Sequence, residues 1–247
     1  MFSLEVPQNS TSQHFAELRL RLIWVVGFFL FSLAVSYYFS QQIYAFLLEP
    51  FLSVSPGGRK LIFTSPSEVF FSYIRLASYS ALFITIPVAF LQLYLFLLPA
   101  LYWQEKKVAF LLLLIAPLLF FMGAIFAYYL VIPLALKFFA SYETSFFQAN
   151  ITQINLVLEA KISNYLDFVL DILIGFGLAF LTPVVLLLLI KTKVISIASI
   201  KNKRRYFIVA IFIISAVLTP PDIFSQLILA IIMLFLLEIS LFFAKFL

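Results

Sequence analysis

The sequence predicts an all-α integral membrane protein with six transmembrane helices and both termini on one side. Three observations carry this. Of 247 residues, 64% are apolar and 11% charged, with a mean hydropathy of +1.13. Soluble globular domains carry about 25% charged residues, so this chain has too few to cover a core in water. Long apolar runs recur between the charges, and the basic residues divide unequally between the two alternating sets of loops.

A helix rises about 1.5 Å per residue, so about 20 apolar residues cross about 30 Å of hydrocarbon. The runs Leu22–Leu48, Leu76–Gln104, Val108–Leu136 and Ile172–Ile190 all accommodate a span. Tyr206–Pro221 and Ile223–Leu237 are shorter, with only Asp222 between them. The second can extend past Glu238 to Ala244, whereas Arg205 stops the first from extending backwards. The expected spans, within a single membrane domain 1–247, are about 22–40, 74–98, 108–133, 164–190, 206–220 and 223–244. The fifth requires a locally thinned bilayer or snorkelling flanks. Pro87, Pro117, Pro133 and Pro183 fall within or near the ends of spans two to four. Each removes a backbone hydrogen bond, which points to kinked helices in a concave bundle.

Eleven Lys and Arg fall on the side of the N-terminus, the Trp103–Lys107 loop, the Lys191–Arg205 loop and the C-terminus, and five on the other. Basic loops stay inside, so both termini are expected on the cis side. The longer trans loops, Gln41 to about Ser72 and about Leu134 to Ser163, read as ordered caps.

Cysteine is absent and His14 is the sole histidine. That excludes disulfides, Cys/His zinc sites, iron–sulfur clusters and paired-histidine haems. No cofactor is expected, and no Gly-rich phosphate loop or catalytic acid–base motif is present. The net charge of +5 follows topology and is no signal for nucleic acid. The first residues, "MFSLEVPQNSTSQ", lack a basic leader region, so a chain inserted where it is made, or one that has lost its leader, is expected. Phe occurs 32 times against 6 Gly, the bias of an AT-rich genome. The expected location is the mitochondrial inner membrane with an organelle-encoded chain, otherwise a bacterial inner membrane or thylakoid.

Two acids on the cis side stand in a basic field where an apolar run meets water. Glu17 and Arg21 are i, i+4 neighbours in the order that favours a helix ion pair. Glu105 precedes Lys106 and Lys107 in a short turn. Both can be ordinary surface charges, or together they can receive a cationic ligand, since a guanidinium pairs bidentately with a carboxylate. Asp167 and Asp171 share a face at the trans entry to span four, and no basic residue is fixed in mid-membrane to pair with them or with Glu238. Acids at bilayer depth are costly, so these are expected to face protein, water or headgroups.

The order of several segments resembles the TatC family, the polytopic core subunits of the twin-arginine protein translocase. These are "HFAELRLRL" before span one, "TSPSEVFFSYIRLA" into span two and "FLLPALYWQEKK" in the first cis loop. "FMGAIFAYYLVIPLALKFF", "GFGLAFLTPVV" and "LTPPDIFSQ" complete the set, so the resemblance runs from His14 to about Phe242. It implies a non-enzymatic receptor that binds the arginine-pair signal peptides of folded precursors. Such a receptor assembles with single-span TatA/TatB-type subunits in the lipid bilayer, is driven by the proton-motive force, and forms a homo-oligomer within a larger complex. By position it implies that Glu17 and Glu105 are the signal-peptide-contacting acids, with Arg19 and Phe96 at the same site. Pro50, Tyr128 and Asp222 match positions of structural or functional weight.

Two features depart from the family pattern. Leu181, in "FLTP", stands where the family usually has a carboxylate or amide, and Lys106 stands where an Arg commonly follows the Glu. Asp171 is ten residues before Leu181, about 15 Å along a helix, too far to replace it. The alternative readings are a small-solute or ion transporter, which would need charged or discontinuous mid-membrane elements, and a hydrophobic subunit of a respiratory complex.

Overall fold

A computed structural model describes residues 10–54, 62–97, 103–145 and 161–245. For residues 10–14, 97, 103–105, 107–109 and 142–145 it describes the backbone alone. The described residues are helical apart from short turns and one isolated bridge, Ile62 to Lys161. The elements are α1 Ser10–Tyr38, α2 Ser40–Val54, α3 Pro66–Leu97, α4 Trp103–Phe126, a π-helical turn Ala127–Val131 and α5 Ile132–Ser145. They continue as α6 Ile162–Ala179, α7 Thr182–Lys191, α8 Ile197–Asn202, α9 Arg204–Leu218 and α10 Ile223–Phe243.

Among the described residues, five stretches are long and apolar enough to cross a membrane: Phe15–Tyr38, Pro66–Phe96, Phe110–Ser141, Ile162–Lys191 and Ile223–Phe243. The expected fifth span corresponds to α9, whose 15 residues rise about 22 Å, short of the usual hydrocarbon thickness. The first of the two loops expected on the trans side contains α2, and the second begins as α5. Residues 146–160 of the second loop, and the "SPGG" turn of the first, lie outside the described residues.

Packing follows small residues. Ser32, Ser36 and Ser40 recur every fourth position on α1 and its junction with α2, and all three are buried. They form a stripe that lets a neighbouring backbone approach closely. Helix α1 packs along α3, where Ala77, Ala81 and Thr85 form a similarly spaced buried row. The rest of α1 faces outward, its span being only 6% buried. Helix α6 lies at the centre, with 61% of its span buried. A Cβ on Gly123 of α4 would sit 2.5 Å from the Phe176 carbonyl oxygen, and one on Gly175 would sit 2.4 Å from that of Leu218. Only hydrogen fits at either crossing.

The prolines act unequally. Pro87 and Pro117 lie within continuous helices, whereas the α-helical ladder changes at Pro133 and Pro183. Before Pro133, the Ile132 N–H reaches back to the Ala127 carbonyl, five residues away, so the helix widens to a π turn where the proline ring would crowd the ladder. Before Pro183, the Thr182 hydroxyl donates to the Ala179 carbonyl at 2.6 Å. That carbonyl is the one the missing proline N–H leaves unpaired.

Candidate functional site

At the end of the α1/α3 pair where α1 begins, Glu17 lies about two turns into the helix. The Arg21 guanidinium donates to Glu17 Oε1 through Nη2 and through Nε at 3.1 Å. Its Nη1 donates to Gln92 Oε1 at 3.3 Å. Gln92 is one turn before Phe96 on α3, so Arg21 ties Glu17 to the helix end that carries Phe96. The Glu17 carboxylate keeps 38% of its exposure and Phe96 is half-buried. Arg19 is exposed and has no hydrogen-bond or ion-pair partner among the described residues.

Glu105 is in the first turn of α4, which begins just after α3 ends, so its backbone belongs to the same end of the bundle. Its side chain lies outside the described residues. The expected Glu17–Arg21 pair is present. Sequence reading missed Gln92, whose only signal was a lone amide inside an apolar run.

At the other end, Pro50 and Tyr128 are parts of one device. Pro50 lies inside α2 and supplies no N–H to the carbonyl four residues earlier, Phe46. The Tyr128 hydroxyl donates to that carbonyl at 2.7 Å, and its ring stacks on Phe46 with centroids 4.5 Å apart. The next carbonyl, Leu47, accepts from the Tyr165 hydroxyl at 2.6 Å. Two tyrosines from the π turn and α6 therefore hold α2 by successive backbone oxygens. Beside them an open apolar cavity of about 450 Å³ is lined by Phe46, Phe83, Tyr128 and Leu170, among others.

Asp222 is the N-cap of α10, its Oδ1 accepting from the Ser225 N–H at 2.6 Å. This fixes the turn between α9 and α10. Asp222→Ala is expected to cost about 1 kcal/mol of stability, and Asp222→Asn a few tenths, because Asn keeps the acceptor. Unfolding of the detergent-solubilised variants measures both. An Asn variant as unstable as the Ala variant would reject capping as the role.

The acids of α6 have partners that the sequence reading did not find. Arg75 of α3 pairs with Asp167, and the Tyr79 hydroxyl donates to Asp171 Oδ1 at 3.1 Å. Both contacts join positions 92 apart, so α3 and α6 run parallel in fixed register with the two acids on one seam. The third unpaired acid, Glu238, pairs with Arg204. Arg75 and Arg204 stand at span ends, and their long side chains reach an acid on the neighbouring helix, whereas Asp171 is met by a tyrosine hydroxyl. Leu181 closes the α6–α7 break within an apolar cluster that includes Ala116, Val184 and Leu187.

The family model for the Sec-independent protein translocase protein TatC matches residues 13–231. The chain belongs to the TatC family. The TatC of Rickettsia prowazekii strain Madrid E is 41% identical over 238 residues, covering 96% of this chain and 93% of that one. The TatC of Escherichia coli strain K12 is 35% identical over 233 residues, covering 94% and 87%. A crystal structure of the twin-arginine translocase receptor TatC superposes with a TM-score of 0.77 at 38% identity, covering 94% of this chain and 98% of that chain. This TatC-family chain is therefore an integral membrane component of a protein translocase and not an enzyme. Membership decides against the transporter and respiratory-subunit readings.

Proposed function

We propose that this chain is the receptor of a twin-arginine translocase, taking the arginine pair of a precursor's signal peptide on Glu17 and Glu105. Arg19 and Phe96 flank that site. One observation carries the reading: the Glu17 carboxylate is held by Arg21, itself tied to Gln92, yet stays partly exposed at the end of the bundle from which α4 and Glu105 start. A carboxylate so placed offers a guanidinium a rigid acceptor in a site half out of water. The solved relative's description as a receptor supports the same role.

The bound peptide then nucleates a translocation site with single-span TatA/TatB-type subunits and further copies of this chain, driven by the proton-motive force. Both termini lie on the signal-binding side, with α9 as a short fifth span. The bacterial relatives support a bacterial inner membrane more directly than the organelle expected from composition. Photo-crosslinkers at Arg19 and Phe96 test the site. An arginine-pair signal peptide is expected to label both positions and its twin-lysine version neither. Equal labelling by the two peptides would sink the reading.

A further inference from the structure

We propose that the basic basin between α8, α9 and α10 binds an anionic phospholipid, favouring a head group with two phosphates. The basin has a volume of about 460 Å³ and is lined by Lys201, Arg204, Lys245 and Glu238, with Leu241 and Phe242 on its apolar wall. Three cations from three separate elements converge there against one carboxylate. Glu238 pairs with Arg204, while Lys201 and Lys245 are exposed and form no ion pair among the described residues. Arg205 turns instead onto its neighbour Tyr206, with its guanidinium carbon 4.9 Å from the ring centre. The uncompensated charge is two, which matches two phosphodiesters.

A second cavity specifies lipid over a soluble phosphate. An apolar cleft of about 220 Å³ runs between α9 and α10, lined by Phe207, Ile208, Leu234 and Phe235, and it shares Arg204 and Glu238 with the basin. Charged basin and apolar cleft therefore meet at one ion pair, as head group and acyl chain meet in a phospholipid. Basic pockets between membrane helices bind such head groups, each Lys or Arg near the surface adding to the attraction. The position also suits α9, the short fifth span, whose polar end the bound head group would cover.

Native mass spectrometry of the detergent-purified full chain tests this, using cardiolipin, phosphatidylglycerol, phosphatidylcholine and inorganic phosphate in parallel titrations. Cardiolipin is expected to bind first, phosphatidylglycerol next, and phosphatidylcholine and inorganic phosphate only at the level of non-specific adducts. Lys201→Gln with Lys245→Gln is expected to weaken cardiolipin binding by roughly 30-fold. Lys106→Gln with Lys193→Gln, an equal loss of charge elsewhere, should leave it unchanged. Lys201→Arg with Lys245→Arg should retain binding. Wild-type affinity in the Gln double variant, or phosphatidylcholine binding as tightly as cardiolipin, would overturn the proposal. Displacement of the lipid by inorganic phosphate would overturn it as well.

Discussion

Glu17→Lys combined with Glu105→Lys is expected to abolish binding of an arginine-pair signal peptide to the detergent-solubilised chain. Hydrogen bonds to charged groups contribute about 1.5–3 kcal/mol each, so even Glu17→Gln alone should weaken binding by roughly tenfold or more. Reversal adds repulsion between lysine and the arriving guanidinium. The ion pair with Arg21 gives a needed control. If Glu17 served only to hold Arg21 and so tie α1 to Gln92, then Arg21→Gln would reproduce the whole defect. If Glu17 contacts the peptide, Arg21→Gln frees its carboxylate and leaves most of the binding intact. Retained peptide binding in the double reversal would remove both acids from the site. Equal loss in Glu17→Gln and Arg21→Gln would reduce Glu17 to a structural role.

Tyr128→Phe is expected to destabilise the chain by about 1–3 kcal/mol, the cost of leaving the part-buried carbonyl of Phe46 without its donor. The loss should depend on Pro50. In a Pro50→Ala background the new N–H at position 50 can reach the Phe46 carbonyl within the helix ladder, so removing the Tyr128 hydroxyl should cost much less. The double-mutant cycle then shows a coupling of about 1 kcal/mol or more. Residues that do not share a partner add to within about 0.3–0.5 kcal/mol. Strict additivity would therefore separate the two positions and leave Tyr128 with its stacking on Phe46 and its weaker bond to Glu49 at 3.4 Å. Unfolding in mixed micelles, with helix content as the signal, measures all four variants.

The candidate site was legible to different depths. Glu17 and Arg21 were readable as a pair because i, i+4 spacing on one helix fixes their separation without any knowledge of the fold. Their link to Gln92 was not, since it joins positions 71 apart. Pro50 and Tyr128 were readable only as separate positions of weight through resemblance. The orphaned Phe46 carbonyl was inferable from Pro50 once α2 was known to be helical, but nothing in the sequence chose Tyr128 to satisfy it. The π turn before Pro133 shifts the face that Tyr128 presents, which a regular 3.6-residue period would misplace.

Composition and run length alone determined that this chain is helical and belongs in a bilayer, and which loops carry the positive charge. These are sums over neighbouring residues, and hydrocarbon thickness converts such sums directly into structure. The tertiary structure decided which helix faces meet and which polar groups pair. Inside a membrane the lipid-facing and protein-facing sides of a helix are both apolar, so amphipathic periodicity no longer marks the buried face. What marks it instead is small residues and partners far along the chain: the buried Ser32 and Ser36 of α1, which packs along α3, Gly175 against Leu218, and Arg75 opposite Asp167. Those pairings exist only once parallel and antiparallel helices have settled into register.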